Sequence, residues 1–74
     1  MYKVLIADDE RLIRITLKNM IDWKALDCEV IATAKDGEEA FHIFTDIQPE
    51  IVITDLKMPG MDGIDLISKI KEVN

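Results

Sequence analysis

Three short, mainly apolar runs alternate along the chain with three longer stretches in which apolar residues recur at helical spacing. The runs are YKVLIA (2–7), EVIATA (29–34) and IVIT (51–54). Each is too short for a helix and rich in β-formers, so each predicts a buried strand. After the first run, Leu12, Ile13, Leu17, Met20 and Ile21 predict a helix over about 10–21, with Arg11, Arg14, Lys18 and Asn19 largely on the other side and Asp9 or Asp8 as its N-cap. DWKALDC (22–28) is a connector in which Trp23 and Leu26 are expected to cover the helix end. KDGEEA opens a second helix, its acids crowding the first turn where the helix dipole favours them. Ala40, Phe41, Phe44 and Ile47 form its apolar stripe, and Gln48 before Pro49 ends it. DLKMPGMDG (55–63) is a loop of turn residues. Leu66, Ile67, Ile70 and Val73 then mark a third helix running to the end of the chain.

Alternation of strand and helix predicts an α/β fold with a parallel sheet and right-handed crossovers. The strands then share one direction, and their C-terminal ends line the edge where ligands bind in open α/β sheets. If the chain winds out from its first strand, strands one and three are neighbours. The first strand ends in Asp8 and Asp9 and the third in Asp55, so three carboxylates converge. Such carboxylates repel one another unless a cation joins them. Mg2+ suits them, as a hard cation that prefers oxygen and is content with one or two carboxylates and water. An Asp held there can attack a phosphoryl group and form an acyl phosphate. An acid pair at a strand-to-helix junction is by itself often no more than a cap; the Asp opposite it and the loop after that Asp are what make a site.

With 74 residues the chain has room for one small domain. Its 49% hydrophobic and 32% charged content excludes disorder, and a net charge of −6 argues against a nucleic-acid surface in this segment. The single cysteine, Cys28, rules out an intramolecular disulfide and fits a reduced, cytoplasmic compartment. It reads as a small core residue rather than a reactive thiol. No apolar run approaches the roughly 18 residues of a membrane span. His42 reads as a surface residue rather than a phosphohistidine, Met58 and Met61 as packing for the loop, and SKIKEVN as a solvated helix face.

VLIADDE (4–10), DGEEA (36–40) and PEIVITDLKMPGMDG (49–63) together resemble the receiver domain of bacterial two-component response regulators, and the likeness runs over the whole chain. It implies a flavodoxin-like sheet in the order 2-1-3, Asp55 as the phosphoacceptor, Asp9 as a direct Mg2+ ligand, and Asp8 as one acting through water. It also implies that the Lys57 backbone carbonyl reaches the metal and that Pro59 and Gly63 shape the loop. The phosphoryl donor would be a phosphohistidine on a sensor histidine kinase, or a small acyl phosphate. The chain would be an acceptor domain and not an enzyme. DWKALDCEVIATAKDGEEA is similar to receivers of regulators that carry a C-terminal AraC-type DNA-binding domain.

Receivers have five strand–helix units, and three are present here. The resemblance therefore implies a truncated receiver over residues 1–74, a half-domain (βα)3, impaired as a switch. The hydroxyl residue of the fourth strand, the Lys of the fifth and the switch aromatic are not in this sequence. Its last residue, Asn74, follows a helix and is a common helix stop. Strand three, with Ile51, Val52 and Ile53, becomes an uncharged edge of the kind that recruits other chains. The expectation is a homodimer through that strand and the bare sheet face. A self-associating scaffold without phosphotransfer is the competing reading. An aspartyl-phosphate phosphotransferase or phosphatase is weaker, since those enzymes carry a second Asp where Lys57 stands.

Overall fold

A computed structural model describes residues 1–73, and Asn74 lies outside the described residues. Strand β1 (Tyr2–Ala7) is central, flanked by β2 (Cys28–Ala34) and β3 (Ile51–Thr54), and both pairings are parallel. The order β2-β1-β3 is the expected one. β1 takes the middle because Val4, Leu5 and Ile6 can be sealed from solvent on both faces, and all three are fully buried. Each such side chain contributes roughly 1.5–3 kcal/mol by leaving water. β2 begins one residue earlier than its apolar run, because Cys28 pairs with Tyr2.

Alternation along β1 builds two cores. Leu5 and Ala7 point to one face, where they pack with Ala34, Ala40, Phe44, Met58 and Leu66. These partners come largely from helices α2 (Gly37–Ile47) and α3 (Gly63–Val73). Val4 and Ile6 point to the other face, with Cys28, Leu17, Trp23, Val30 and Ile53. Helix α1 (Arg11–Met20) covers that side. Helices on both faces are what right-handed crossovers from a central first strand require.

Four expectations need correction. The α1 stripe is much narrower than its spacing suggests: Leu12 and Met20 are 76% and 78% exposed, Ile13 is exposed, and no α1 residue is buried. Only Leu17 of this helix reaches the core, so α1 meets the sheet along a single line. Neither Asp8 nor Asp9 is its N-cap. Glu10 holds that position without a side-chain cap bond, while the Asp8 carboxylate accepts the Glu10 N–H at 2.9 Å. Leu26 is 60% exposed and covers nothing, whereas Trp23 does pack on the core and donates its Nε1–H to the Lys18 carbonyl at 3.2 Å. Ile47, Ile67 and Val73, placed on the stripes of α2 and α3, are exposed, because each helix meets the sheet mainly through Ala40 and Phe44 or through Leu66.

Gln48 ends α2 as its place before Pro49 suggests, but in the left-handed region at φ 54°, with its N–H on the Phe44 carbonyl. Cys28 is a buried free thiol, and His42 is exposed. No helix among the described residues is long and apolar enough to cross a membrane.

Candidate functional site

The strand ladder runs one step beyond the ends of the strands. The Asp8 N–H donates to the Ala34 carbonyl at 3.0 Å, and the Asp55 N–H donates to the Ala7 carbonyl at 3.1 Å. This places Asp8 and Asp55 side by side at the C-terminal edge of the sheet, with Asp9 next in the turn toward α1. Carboxylate oxygens of Asp8, Asp9 and Asp55 all lie within 4.8 Å of one another. Asp8 is buried; Asp9 and Asp55 are exposed.

Two like charges about 4 Å apart near a protein surface repel by about 4 kcal/mol. Basic side chains do not offset that repulsion by direct pairing. Among the described residues the one salt bridge joins the N-terminal ammonium to Asp27, away from this edge. The donor set consists of carboxylate oxygens alone, without sulfur or imidazole, which fits a hard divalent cation such as Mg2+.

The loop after β3 is held by close backbone approaches. A Cβ on Gly63 would collide with the carbonyl oxygen of Asp55 and come within 2.8 Å of the Leu56 Cα. The Gly63 N–H donates to the Leu56 carbonyl at 3.2 Å. Glycine at 63 therefore lets the loop fold back beneath its own first residues. At Gly37, a Cβ would collide with the Met61 carbonyl oxygen, so the first turn of α2 supports the far limb of the same loop. Met58 is buried beneath it and Met61 is half-buried against the core, as expected of packing residues.

Lys57 is exposed, and its N–H donates to Asp55 Oδ1 at 3.3 Å, a local turn that orients the carboxylate. Pro59 is exposed in the loop and precedes Gly60, which takes φ 72°. Ile51 is exposed on β3, while Val52 and Ile53 are half-buried, one against each core.

Two residues of this edge were not singled out by sequence reasoning. Asp62 stands outside the carboxylate trio, and its Oδ1 accepts the Asp65 N–H at 2.9 Å to cap α3. An Asp one residue ahead of a helix-opening Gly was the available signal. Arg14, read as part of the polar face of α1, is half-buried and donates from Nη1 to the Asp8 carbonyl at 2.7 Å. No local pattern signals that contact, because it spans a strand–helix turn.

Residues 4–74 match the family model of the response regulator receiver domain. Over all 74 residues the chain is 49% identical to the uncharacterized transcriptional regulatory protein YesN of Bacillus subtilis, of which it spans 20%. Among solved structures, a two-component transcriptional regulator AraC from Clostridium phytofermentans superposes with a TM-score of 0.90 at 41% identity, over 99% of this chain and 59% of that one. A chain of the CheX–CheY–BeF3–Mg2+ complex from Borrelia burgdorferi gives a TM-score of 0.87 at 35% identity, over 99% of this chain and 55% of that one. The chain thus spans a fifth of a curated relative and somewhat over half of these receiver structures. A parallel β2-β1-β3 sheet, an aspartate cluster at its C-terminal edge and a family match from residue 4 onward agree: the chain belongs to the response regulator receiver domain family.

Proposed function

We propose that Asp55 is a phosphoacceptor in a two-component relay, with Asp8, Asp9 and the Lys57 backbone carbonyl completing a Mg2+ site around it. The observation that carries this reading is the convergence of the three carboxylates within 4.8 Å at the end of the sheet. Further support comes from the Borrelia CheX–CheY complex, whose partners include Mg2+ and BeF3, a mimic of a phosphoryl group.

An Asp55 carboxylate oxygen attacks the phosphorus of a phosphohistidine on a sensor histidine kinase. The new O–P bond forms as the P–N bond breaks, and the electron pair leaves with the imidazole nitrogen, which takes up a proton. The product is an acyl phosphate on Asp55. Mg2+, when bound, supplies positive charge against the phosphoryl oxygens. The chain's own part is positional: the Asp55 N–H bond to Ala7 and the Lys57 N–H on Oδ1 fix the nucleophile, and its exposure leaves it open to a donor.

On this reading the chain accepts one phosphoryl group per cycle and is not an enzyme. It works in the cytoplasm beside its kinase and governs a DNA-binding region elsewhere in a longer regulator. The likeness to the Clostridium AraC regulator supports that last point. Hydroxylamine cleaves acyl phosphates and leaves a hydroxamate, so peptide mass mapping after exposure to an acyl phosphate donor and Mg2+ tests the assignment. A hydroxamate at Asp55 is expected; one at Asp8 or Asp9 instead overturns it.

A second reading rests on the edge strand. Ile51 is exposed on β3, whose outer backbone edge has no neighbouring strand among the described residues. The chain by itself is then a two-fold dimer pairing β3 with its copy, and a scaffold with a silent site if Asp55 accepts nothing. Sedimentation tests this, since a monomer mass at every concentration contradicts it.

A further inference from the structure

The Asp8 backbone carbonyl, at the corner where β1 turns into α1, is held by a charged side chain six residues ahead. Arg14 Nη1 donates to it at 2.7 Å, and the Arg14 side chain is half-buried at this corner. Asp8 is tied twice more: its N–H donates to the Ala34 carbonyl at 3.0 Å, and its Oδ1 accepts the Glu10 N–H at 2.9 Å. Arg14 makes no salt bridge within 4.0 Å among the described residues, so a carboxylate is not what holds its guanidinium there. A hydrogen bond from a charged donor is stronger than one from a neutral donor.

We propose that Arg14 is a positioning residue for the cation site: by clamping the Asp8 carbonyl it fixes the turn that aims the Asp8 and Asp9 carboxylates at Asp55. The inference rests on the reading of these carboxylates as a Mg2+ site. Charge and position act in opposite directions here, which makes the claim testable. A guanidinium held on the Asp8 carbonyl repels a cation arriving at this corner, so its charge alone weakens binding. As a clamp, it strengthens binding by sparing the cation the work of ordering the corner. Partners that orient ligands without touching the metal typically change affinity by about 10–100-fold.

The test is calorimetric titration of Mg2+ into the unmutated chain, Asp9→Asn, Arg14→Met and Arg14→Lys, with a thermal melt of each in the absence of Mg2+. Arg14→Met keeps the length of the side chain and loses both donor and charge. It is expected to bind Mg2+ about tenfold more weakly than the unmutated chain. Arg14→Lys keeps a donor and the charge and is expected to recover most of that affinity. A merely structural role would lower the melting temperature of Arg14→Met and leave the affinity of its folded form unchanged. A role through charge alone would make Arg14→Met bind more tightly. Either result overturns the proposal. Should Arg14→Met fail to fold, Arg14→Gln, a shorter neutral donor, is read in its place, with weaker binding expected and equal or tighter binding contradicting. If the unmutated chain and Asp9→Asn both take up no Mg2+, the reading of the site falls, and the proposal with it.

Discussion

Asp8, Asp9 and Asp55 stand together because the backbone bonds of the sheet continue past the strands and set their main chains in register. That continuation makes the two flanking acids unequal. Asp9 is exposed and free to meet a cation, while Asp8 is buried and already accepts the Glu10 N–H. Asp9→Asn should therefore weaken Mg2+ binding by at least about tenfold, by analogy with the effect of losing ligand-orienting groups. Calorimetric titration reads it directly. Asp62 belongs to the same loop but caps α3, so Asp62→Ala should leave Mg2+ affinity unchanged and cost about 1 kcal/mol of stability in a denaturant melt. The carboxylate trio was legible in the sequence, since strand ends and acids coincide. The cap by Asp62 and the Arg14 clamp were less so. Both depend on how the turns fold, which hydrophobic period does not encode.

At the scale of elements, β1 carries both cores. Leu5 is fully buried among residues of β2, α2 and α3, so Leu5→Ala should cost about 2–5 kcal/mol in chemical denaturation. The start of β3 is tied to β1 by Glu50, whose Oε1 accepts the Lys3 N–H at 2.6 Å. That bond holds the Glu50 carboxyl below the usual carboxylate range. A carboxyl lowered on folding adds stability above its unfolded pKa and loses it as pH falls through the folded value. Glu50→Gln should thus melt below the unmutated chain at neutral pH, and the gap should close on acidification below the ordinary carboxylate range. The bond is exposed, so the gap is expected to be small. Strand and helix order were readable because short runs rich in β-formers alternate with longer stretches of helical spacing. The depth of helix burial was not. A pattern names the apolar side of α1, but how much of it meets the sheet depends on where the axis crosses β1. Leu17 lands on the core, and Leu12 and Met20 do not.

For the molecule as a whole, the edges of the sheet and the loop beyond β3 matter more than the interior. The outer edge of β3 is open among the described residues, and Ile51→Lys would set a charge on it. If the chain pairs through β3, that change should shift sedimentation from dimer to monomer without altering the fold. Alternation made a parallel sheet legible, and the order 2-1-3 came from the resemblance of the motifs to the family. The pairing partner of an edge was not, because an edge strand's sequence states what it avoids in water rather than what covers it. The central claim is that three carboxylates at one sheet edge make Asp55 an acceptor. The most direct test is intact mass after incubation with Mg2+ and a small acyl phosphate, with Asp55→Asn and a chelator-treated sample alongside. The account predicts a gain of one phosphoryl group that needs both Mg2+ and Asp55. A folded chain that gains nothing, or an Asp55→Asn chain that gains as much, would contradict it.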